Sequence, residues 1–467
     1  MSAKQKENFR PPIVTVLGHV DHGKTTLLDH IRQTKIADRE AGGITQGIGA
    51  SVVSTKEGDD ITFIDTPGHA VFSGMRSSGA TASDIVVLVV ASDDGVKPQT
   101  KEAIKYINEV GMPYLVAATK SDLPTADLAK VKSDLSAEGV KFDGEGGDVP
   151  IVSVSGKTGD GIDKLLATIR LLWEVNISEK DEFGAHVIES IKSKQGVLAS
   201  VVVKSGTMRV GNTLYVDGDQ FKVRGLTNAF GKPIKEVGAG YPAQVIGMSV
   251  LPKVGAQIID KQFQTPQKSV ENKRRDVNID EGEFPVIIKA KTQGGLNALS
   301  GNLPENVVII DKSVGNVTDS DVFMAKSVGA TIIVFESRLP NSVKKLATAE
   351  KIEIKVFRIV YEIFEYLEKR VKQGQTQILG TAEILAEFPF NKRRVAGVKV
   401  TSGKIEKNHK LIVLRDGEEL GETKMASLKR EKKDVDSAIQ GQEAGIIFDP
   451  YLDFSVGDMI VSFKSLR

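Results

Sequence analysis

The chain's chemistry is concentrated in a few short stretches with fixed order. GHVDHGKT, Gly18 to Thr25, follows the apolar run Ile13 to Leu17 and precedes a helical periodicity. It fits the pattern G-x-x-x-x-G-K-[ST] in the strand, loop and helix setting that cradles phosphate. There Gly18 and Gly23 let backbone N–H groups approach the anion, Lys24 brings charge to the β and γ oxygens, and the Thr25 hydroxyl can ligate Mg²⁺. DTPGH, Asp65 to His69, closes the apolar run ITFI. Asp65 could hold Mg²⁺ through water and the Gly68 amide could meet a terminal phosphate; an Asx turn would explain the composition but not the order. TKSD, Thr119 to Asp122, closes another strand, and a carboxylate at Asp122 can accept N1–H and the exocyclic amine of guanine, a donor pair that adenine lacks. SGKTG, Ser155 to Gly159, follows VPIVSV and could close over the base. GGITQGIGAS, Gly42 to Ser51, carries Thr45 and suits either a surface loop or a loop that orders on a γ-phosphate and Mg²⁺.

These stretches need a scaffold that brings strand ends together. From Pro11 to about Asn176, the runs IVTVLG, ITFIDT, DIVVLVV, PYLVAAT and PIVSVS alternate with helical periodicities. Apolar runs without polar alternation predict a parallel sheet covered on both faces, with functional loops at its carboxyl ends. From Phe183 to Phe263, short glycine-punctuated strands predict a small β-barrel. A polar, basic linker is expected over 264–282, and a second α/β unit over 283–352, with strands at PVIIKAKT, NVVIID and ATIIVFES. A helix is expected over 353–373, where Val356, Ile359, Val360, Ile363, Phe364, Leu367 and Val371 recur at spacings of three and four and Gly374 is a terminator. β texture returns over 374–467 as a second barrel. The fold class is therefore a multidomain α/β chain whose first unit spans 11–178.

Composition limits the alternatives. At roughly 150 residues per domain, 467 residues hold three or four domains. A net charge of +1 provides no global field for nucleic acid, so any basic surface must be local. The absence of cysteine removes disulfides, thiolate metal sites and thiol nucleophiles, and suits a reducing compartment. No apolar run approaches the ~20 residues that span a bilayer. A soluble, cytoplasmic protein without membrane partners is expected, and a monomer.

Taken together, GHVDHGKT, GGIT, DTPGH and TKSD in this order resemble the translational GTPases. ITFIDTPGHAVFSGMRSSGATASDIVVLVVASDDGVKPQT is especially similar to bacterial-type translation initiation factor two, and the resemblance runs from Pro11 to Phe463. The long N-terminal extension common in that family is expected to be absent. The resemblance implies GTP or GDP with Mg²⁺ as ligands, and a nucleotide-contacting set of Gly18, His19, Val20, Asp21, His22, Gly23, Lys24, Thr25, Thr26, Thr45, Asp65, Gly68, Thr119, Lys120, Asp122, Ser155, Gly156 and Lys157. Thr25, Thr45 and, through water, Asp65 would hold Mg²⁺, and Asp21 would help place a monovalent cation. His69 would orient the attacking water between Val20 and Ile44 as a hydrophobic gate. No internal arginine finger can be assigned, so slow unaided turnover and activation by the ribosome are expected.

Between Phe388 and Lys433 stand 13 Lys and Arg against 6 Asp and Glu. Such an excess suits phosphate neutralisation or a solvated charged face. The family resemblance implies that this barrel recognises the end of formylmethionyl initiator tRNA. Lys429 and Arg430 in SLKREKKD would contact the tRNA, and Glu443 and Gly445 would lie beside the formylmethionyl group. The implied partners are both ribosomal subunits, ribosomal RNA and that tRNA. Four positions depart from the family's pattern: Val398 and Ala444 stand where cysteines typically line the amino-acid pocket, Thr119 replaces an asparagine, and Gly47 replaces a common histidine. An elongation-type carrier would place a second barrel directly after the first, whereas an α/β unit intervenes here. A ribosome-assembly protein with a vestigial nucleotide site is the remaining alternative, and intact Lys24, Thr25, Asp65 and His69 speak against it.

Overall fold

The computed structural model describes residues 10–33, 45, 49–68, 70–177, 182–229, 231–261, 283–374, 376–390, 393–415, 417–431 and 433–465. Ile44, Gly47, His69 and the linker over 264–282 lie outside them. In the first domain, β1 (Ile13–Gly18), β2 (Gly49–Ser54), β3 (Asp60–Asp65), β4 (Ile85–Ala91), β5 (Tyr114–Thr119) and β6 (Ile151–Ser153) form one sheet in the order β2-β3-β1-β4-β5-β6. All pairings are parallel except β2 with β3.

β4 shows why its sequence is a continuous apolar run. Ile85, Val87 and Val89 pack into a core with Leu27, Leu28 and Ile31 of α1 (Lys24–Arg32) and Ile162, Leu165 and Ile169 of the later helix Ile162–Asn176. Val86, Leu88 and Val90 face the opposite way, into a core with Ala80 of α2 (Ser73–Ala82), Ala103, Ile104 and Ile107 of α3 (Pro98–Val110), and Val131 and Leu135 of α4 (Leu128–Ala137). Two-sided burial leaves no solvent face for polar residues, and the expected parallel sheet follows. The edge strand β2 was not expected. Its sequence GASVVS is half-exposed, and its antiparallel pairing with β3 makes it visible only in three dimensions.

In the segment 182–261, an eight-stranded antiparallel sheet and a separate strand pair share a single core. Residues from the sheet's outer strands, Phe221 and Leu226, join Met208 and Val237 of the pair in that core, so the sheet curls round it as a small barrel does. It is fastened to the first domain by Thr62 Oγ1 donating to Gly240 O (2.6 Å) and by Tyr241 Oη donating to Asp60 Oδ2 (2.8 Å). A third fastening is Lys204, whose Nζ donates to Ser83 O at 2.7 Å.

The next unit has four strands, Phe284–Ala290, Val307–Val314, Thr331–Phe335 and Ile354–Phe357. Its first helix, α6 (Gln293–Ser300), is the next in the chain after α5 (Ile162–Asn176) of the first domain. A joint forms at its N-terminus. Glu189, 6% exposed on β7 (Gly184–Ser193), accepts from the amides of Ser190 (2.8 Å) and Gly294 (3.0 Å). A Cβ on Gly294 would lie 2.3 Å from Met75 Cε of α2 and 2.8 Å from Glu189 Oε2, so a larger residue there would displace one of these two side-chain ends. At the other end of α6, Asn302 Nδ2 donates to Val71 O at 3.3 Å, in the turn just before α2.

Ile354–Phe357 corrects the helix expected over 353–373. Val356, read as part of its apolar face, sits in this strand and is 50% exposed. The helix is Val360–Gly374, with Val360, Ile363, Leu367 and Val371 buried. β-branched residues at spacings compatible with either period caused the overreach.

The described residues form two compact units, the first within 10–261, 285–303 and 309–364, the second within 283–284, 304–308 and 365–465. In the second, strands Thr376–Phe390, Met459–Ser465, Lys410–Arg415, Glu418–Arg430, Glu443–Asp449 and Arg393–Glu406 pair in that order. The last pairs back to the first, so these six strands close on one another as a barrel. No helix among the described residues is long and apolar enough to cross a membrane.

Candidate functional site

The P-loop is built by a sharp exit from β1. Gly18 has φ +153°, and a Cβ there would lie 2.4 Å from Val89 O of β4, which excludes any side chain. Gly23 caps α1, whose first turn holds no acidic residue, so the amides of that turn present a positive end to an anion. Lys24 is 7% exposed and donates to His19 O at 2.5 Å. Burial lowers its pKa to about 8, with Arg76 adding to the fall and Asp65 and Asp21 opposing it.

Three neighbours hold the loop in place. Thr119 Oγ1, buried, donates to His22 O at 2.6 Å. Threonine therefore ties β5 to the P-loop in the position where the family usually has asparagine. Val20 N donates to Gln99 Oε1 of α3 at 3.0 Å. The His22 ring is 1% exposed and points inward, its Nδ1 accepting from Ala91 N at 3.3 Å. Burial, with the nearby charges of His19 and Lys24, brings the His22 pKa down to about 4, so it is neutral at physiological pH. Its ring is scaffold, and only its backbone can serve a ligand.

A cavity of about 380 Å³ joins the two ends of the site. At one end it is lined by Val20, Asp21, Gly23, Lys24, Thr25, Thr26, Thr45 and Gly68, at the other by Thr119, Lys120, Asp122, Leu123, Gly156 and Lys157. Asp122 is exposed and accepts from Ser155 Oγ at 2.7 Å, a bond that holds its carboxyl below the usual range. Ser155 Oγ in turn accepts from the amides of Lys157 (3.2 Å) and Thr158 (3.1 Å), so the SGKTG turn aims the carboxylate. Sequence reasoning missed Leu123 as a lining residue, and Gln99 and Arg32 as residues behind it.

The donor set fits a hard divalent cation. Thr25 Oγ1 and Thr45 Oγ1 lie 3.0 Å apart, and Asp65 is buried with Oδ1 lacking a hydrogen-bond partner among the described residues. Burial pushes the Asp65 pKa up, while Arg32 and Lys24 pull it down.

In the terminal barrel, Val398 and Ala444 are directly paired across strands Arg393–Glu406 and Glu443–Asp449, and both side chains lie in the barrel core. Gly445 pairs with Gly397 and with Lys429, and Glu443 with Lys399. Lys429 and Arg430 lie at the end of Glu418–Arg430, opposite Asp434 and Lys433. Two of the counted cations are engaged within the barrel. Arg415 makes a two-pronged pair with Asp458 (Nε 3.0 Å, Nη2 2.9 Å) and also bonds Ser455 and the Asp453 carbonyl. Arg394 pairs with Glu387 and Asp453, donates to Phe454 O and stacks 4.7 Å above the Phe454 ring.

This P-loop domain, followed by a barrel, a second α/β unit and a closed barrel, defines a multidomain chain of translational GTPase architecture. Family models match in the same order: elongation factor Tu GTP binding domain over 10–174, elongation factor G domain 2 over 182–261, translation-initiation factor 2 over 259–368, and elongation factor Tu domain 2 over 393–461. Translation initiation factor IF-2 of Thermus thermophilus is 39% identical over 98% of this chain and 87% of its own. That of a Nitratiruptor species is also 39% identical, over 98% of this chain and 59% of its own, so the chain spans about three fifths of that relative. Among solved structures, GDP-bound aIF5B from Aeropyrum pernix is 25% identical over 97% of this chain and 92% of its own, with a TM-score of 0.46. The chain belongs to the translation initiation factor IF-2 family.

Proposed function

We propose that the protein is a GTP-dependent translation initiation factor. With GTP bound, it positions formylmethionyl initiator tRNA on the small ribosomal subunit, promotes joining of the large subunit and leaves after ribosome-stimulated hydrolysis. The observation that carries this reading is one continuous cavity with phosphate-type groups at Lys24 and Thr25 and the Ser155-aimed carboxylate of Asp122 at its far end. Asp122 selects guanine, and Lys24 and the α1 amides hold the phosphates. Thr25, Thr45 and, through water, Asp65 would hold Mg²⁺, which would supply charge neutralisation to the phosphates. Asp21, which lines the same cavity, helps place a monovalent cation. His69 orients the attacking water between Val20 and Ile44.

The functional domains are assigned as 11–178 for nucleotide binding, 183–263 for the first barrel, 283–357 for the second α/β unit, now including its last strand, and 374–467 for tRNA. In the last, Lys429 and Arg430 contact the tRNA end, and Glu443, Gly445, Val398 and Ala444 lie beside the formylmethionyl group. Val398 and Ala444 are small, apolar and directly paired, with their side chains packed in the barrel core behind that group. The protein acts as a cytoplasmic monomer.

Two assays on the full chain test this. GTP hydrolysis is expected to be slow in buffer and accelerated by ribosomes, and fast hydrolysis in buffer would contradict the reading. The ester of formylmethionyl-tRNA is expected to be protected from hydrolysis in preference to methionyl-tRNA and an elongator aminoacyl-tRNA. Equal protection of all three would remove the initiator role.

A further inference from the structure

α1 begins with one cation at the site, Lys24, and ends with another, Arg32. The Arg32 side chain is 9% exposed and runs back towards the sheet. Its Nε donates to Ser51 Oγ of β2 at 2.6 Å, and its Nη1 lies 3.7 Å from Asp65 Oδ2. The first contact is a hydrogen bond; the second is within ion-pair range but too long for one. Asp65 is 5% exposed, so its carboxylate needs a counter-charge. Lys24 supplies part of it but directs its own proton to His19 O.

We propose that Arg32 is a positioning residue that supplies positive charge beside Asp65 when the divalent cation is absent, with Ser51 holding the guanidinium short of a closed salt bridge. The inference rests on reading Asp65 as a metal-side carboxylate. It gives the site a way to survive between nucleotides, because a deeply buried carboxylate stripped of its metal keeps Arg32 beside it in addition to Lys24. It also sets the metal affinity. A guanidinium and a dication beside one carboxylate repel each other, and at an effective dielectric of about 20 such a repulsion changes an affinity by at least about tenfold.

Ser51 tunes this balance. Arginine has a planar fork of donors that can close on a carboxylate with two parallel bonds. The bond from Nε to Ser51 pins the guanidinium, and in that position Nη1 stands 3.7 Å short of Asp65. Freed from Ser51, the fork closes on Asp65 and competes harder with the metal. Loss of the charge and loss of the anchor therefore act in opposite directions, which a merely structural role for Arg32 would not do.

The test uses the full chain and GDP carrying a fluorescent ribose label, with Mg²⁺ titrated in a chelator buffer. Arg32→Gln is expected to lower the Mg²⁺ midpoint for tight nucleotide binding at least about fivefold, and Ser51→Ala to raise it at least about threefold. Arg32→Lys, which keeps a point charge, stays closer to wild type than Arg32→Gln. Without nucleotide, Arg32→Gln is expected to lower Tm, and adding Asp65→Asn to restore it. Shifts of the same sign for Arg32→Gln and Ser51→Ala, or midpoints within twofold of wild type, would overturn the proposal. If Arg32→Gln does not fold, an unraised midpoint in Ser51→Ala does so alone. A wild-type chain that binds labelled GDP with no dependence on Mg²⁺ would overturn the metal-side reading of Asp65 and this inference with it.

Discussion

The nucleotide pocket and the terminal barrel present polar groups in different ways. At the pocket, much of the chemistry is backbone: the amides at the start of α1 and of the SGKTG turn, set by a Gly18 that tolerates no Cβ. Burial shifts the titration of its side chains, bringing Lys24 down to about 8 and pushing Asp65 up. In the barrel, cations outnumber anions in the sequence, yet Arg394 and Arg415 are already matched by Glu387, Asp453 and Asp458. A motif specifies geometry and so survives folding as a site, whereas a count of charges does not say which of them hold the fold.

The largest effect that would sharpen this contrast is at Lys24. Lys24→Ala should weaken guanine-nucleotide binding about a hundredfold or more, since it removes charge-assisted bonds worth roughly 1.5–3 kcal/mol each, as a fluorescence titration would measure. Arg415→Ala should cost about 2 kcal/mol of stability by leaving the buried Asp458 carboxylate with the Ser455 amide but no counter-charge, with RNA affinity changed less than twofold. If RNA binding collapsed while the melting curve stayed put, the division between fold-holding and ligand-facing cations would fail.

Proton dependence should differ as well. Lys24 must be protonated to meet phosphate, so above its pKa of about 8 binding has to take up a proton. Affinity should then fall about tenfold between pH 7 and pH 9, measurable by the same titration across pH. Asp458 behaves oppositely. Its hydrogen bond from Arg415 depresses its pKa below 3.8, so its stabilisation is complete above that value and is lost only as pH falls through the depressed pKa. Thermal melts should show this contribution level from pH 8 to pH 5. The smallest expected effect is at Lys429 or Arg430: alanine at either should weaken tRNA binding a few-fold and reduce the slope of log affinity against log salt by about 1.

Much of this architecture was legible because burial on two faces leaves a strong trace. IVVLVVA could only be a covered strand, and the motifs at the strand ends followed from it. β2 and Ile354–Phe357 left weaker traces, the first because its residues are half-exposed, the second because β-branched residues run into a true helix at Val360. At the site, the phosphate and base groups were readable from spacing, but the inward turn of His22 was not, since a P-loop histidine looks equally available in sequence. Gln99, Arg32 and Ser51 carried no local signal, because each acts on a partner at least 19 residues away.

The joint at Gly294 has a bearing on how this molecule can vary over generations. Met75 of the first domain, Glu189 of the first barrel and the amide of Gly294 in the second α/β unit meet within a space that a single methyl group would fill. A lineage that enlarged the residue at Gly294 would have to move Met75 or loosen the Glu189 bond, so changes at these three positions are expected to be coupled across the three domains. Hybrid chains that bring a larger residue to this position should gain stability when the Met75 and Glu189 counterparts are exchanged with it, as melting curves would show.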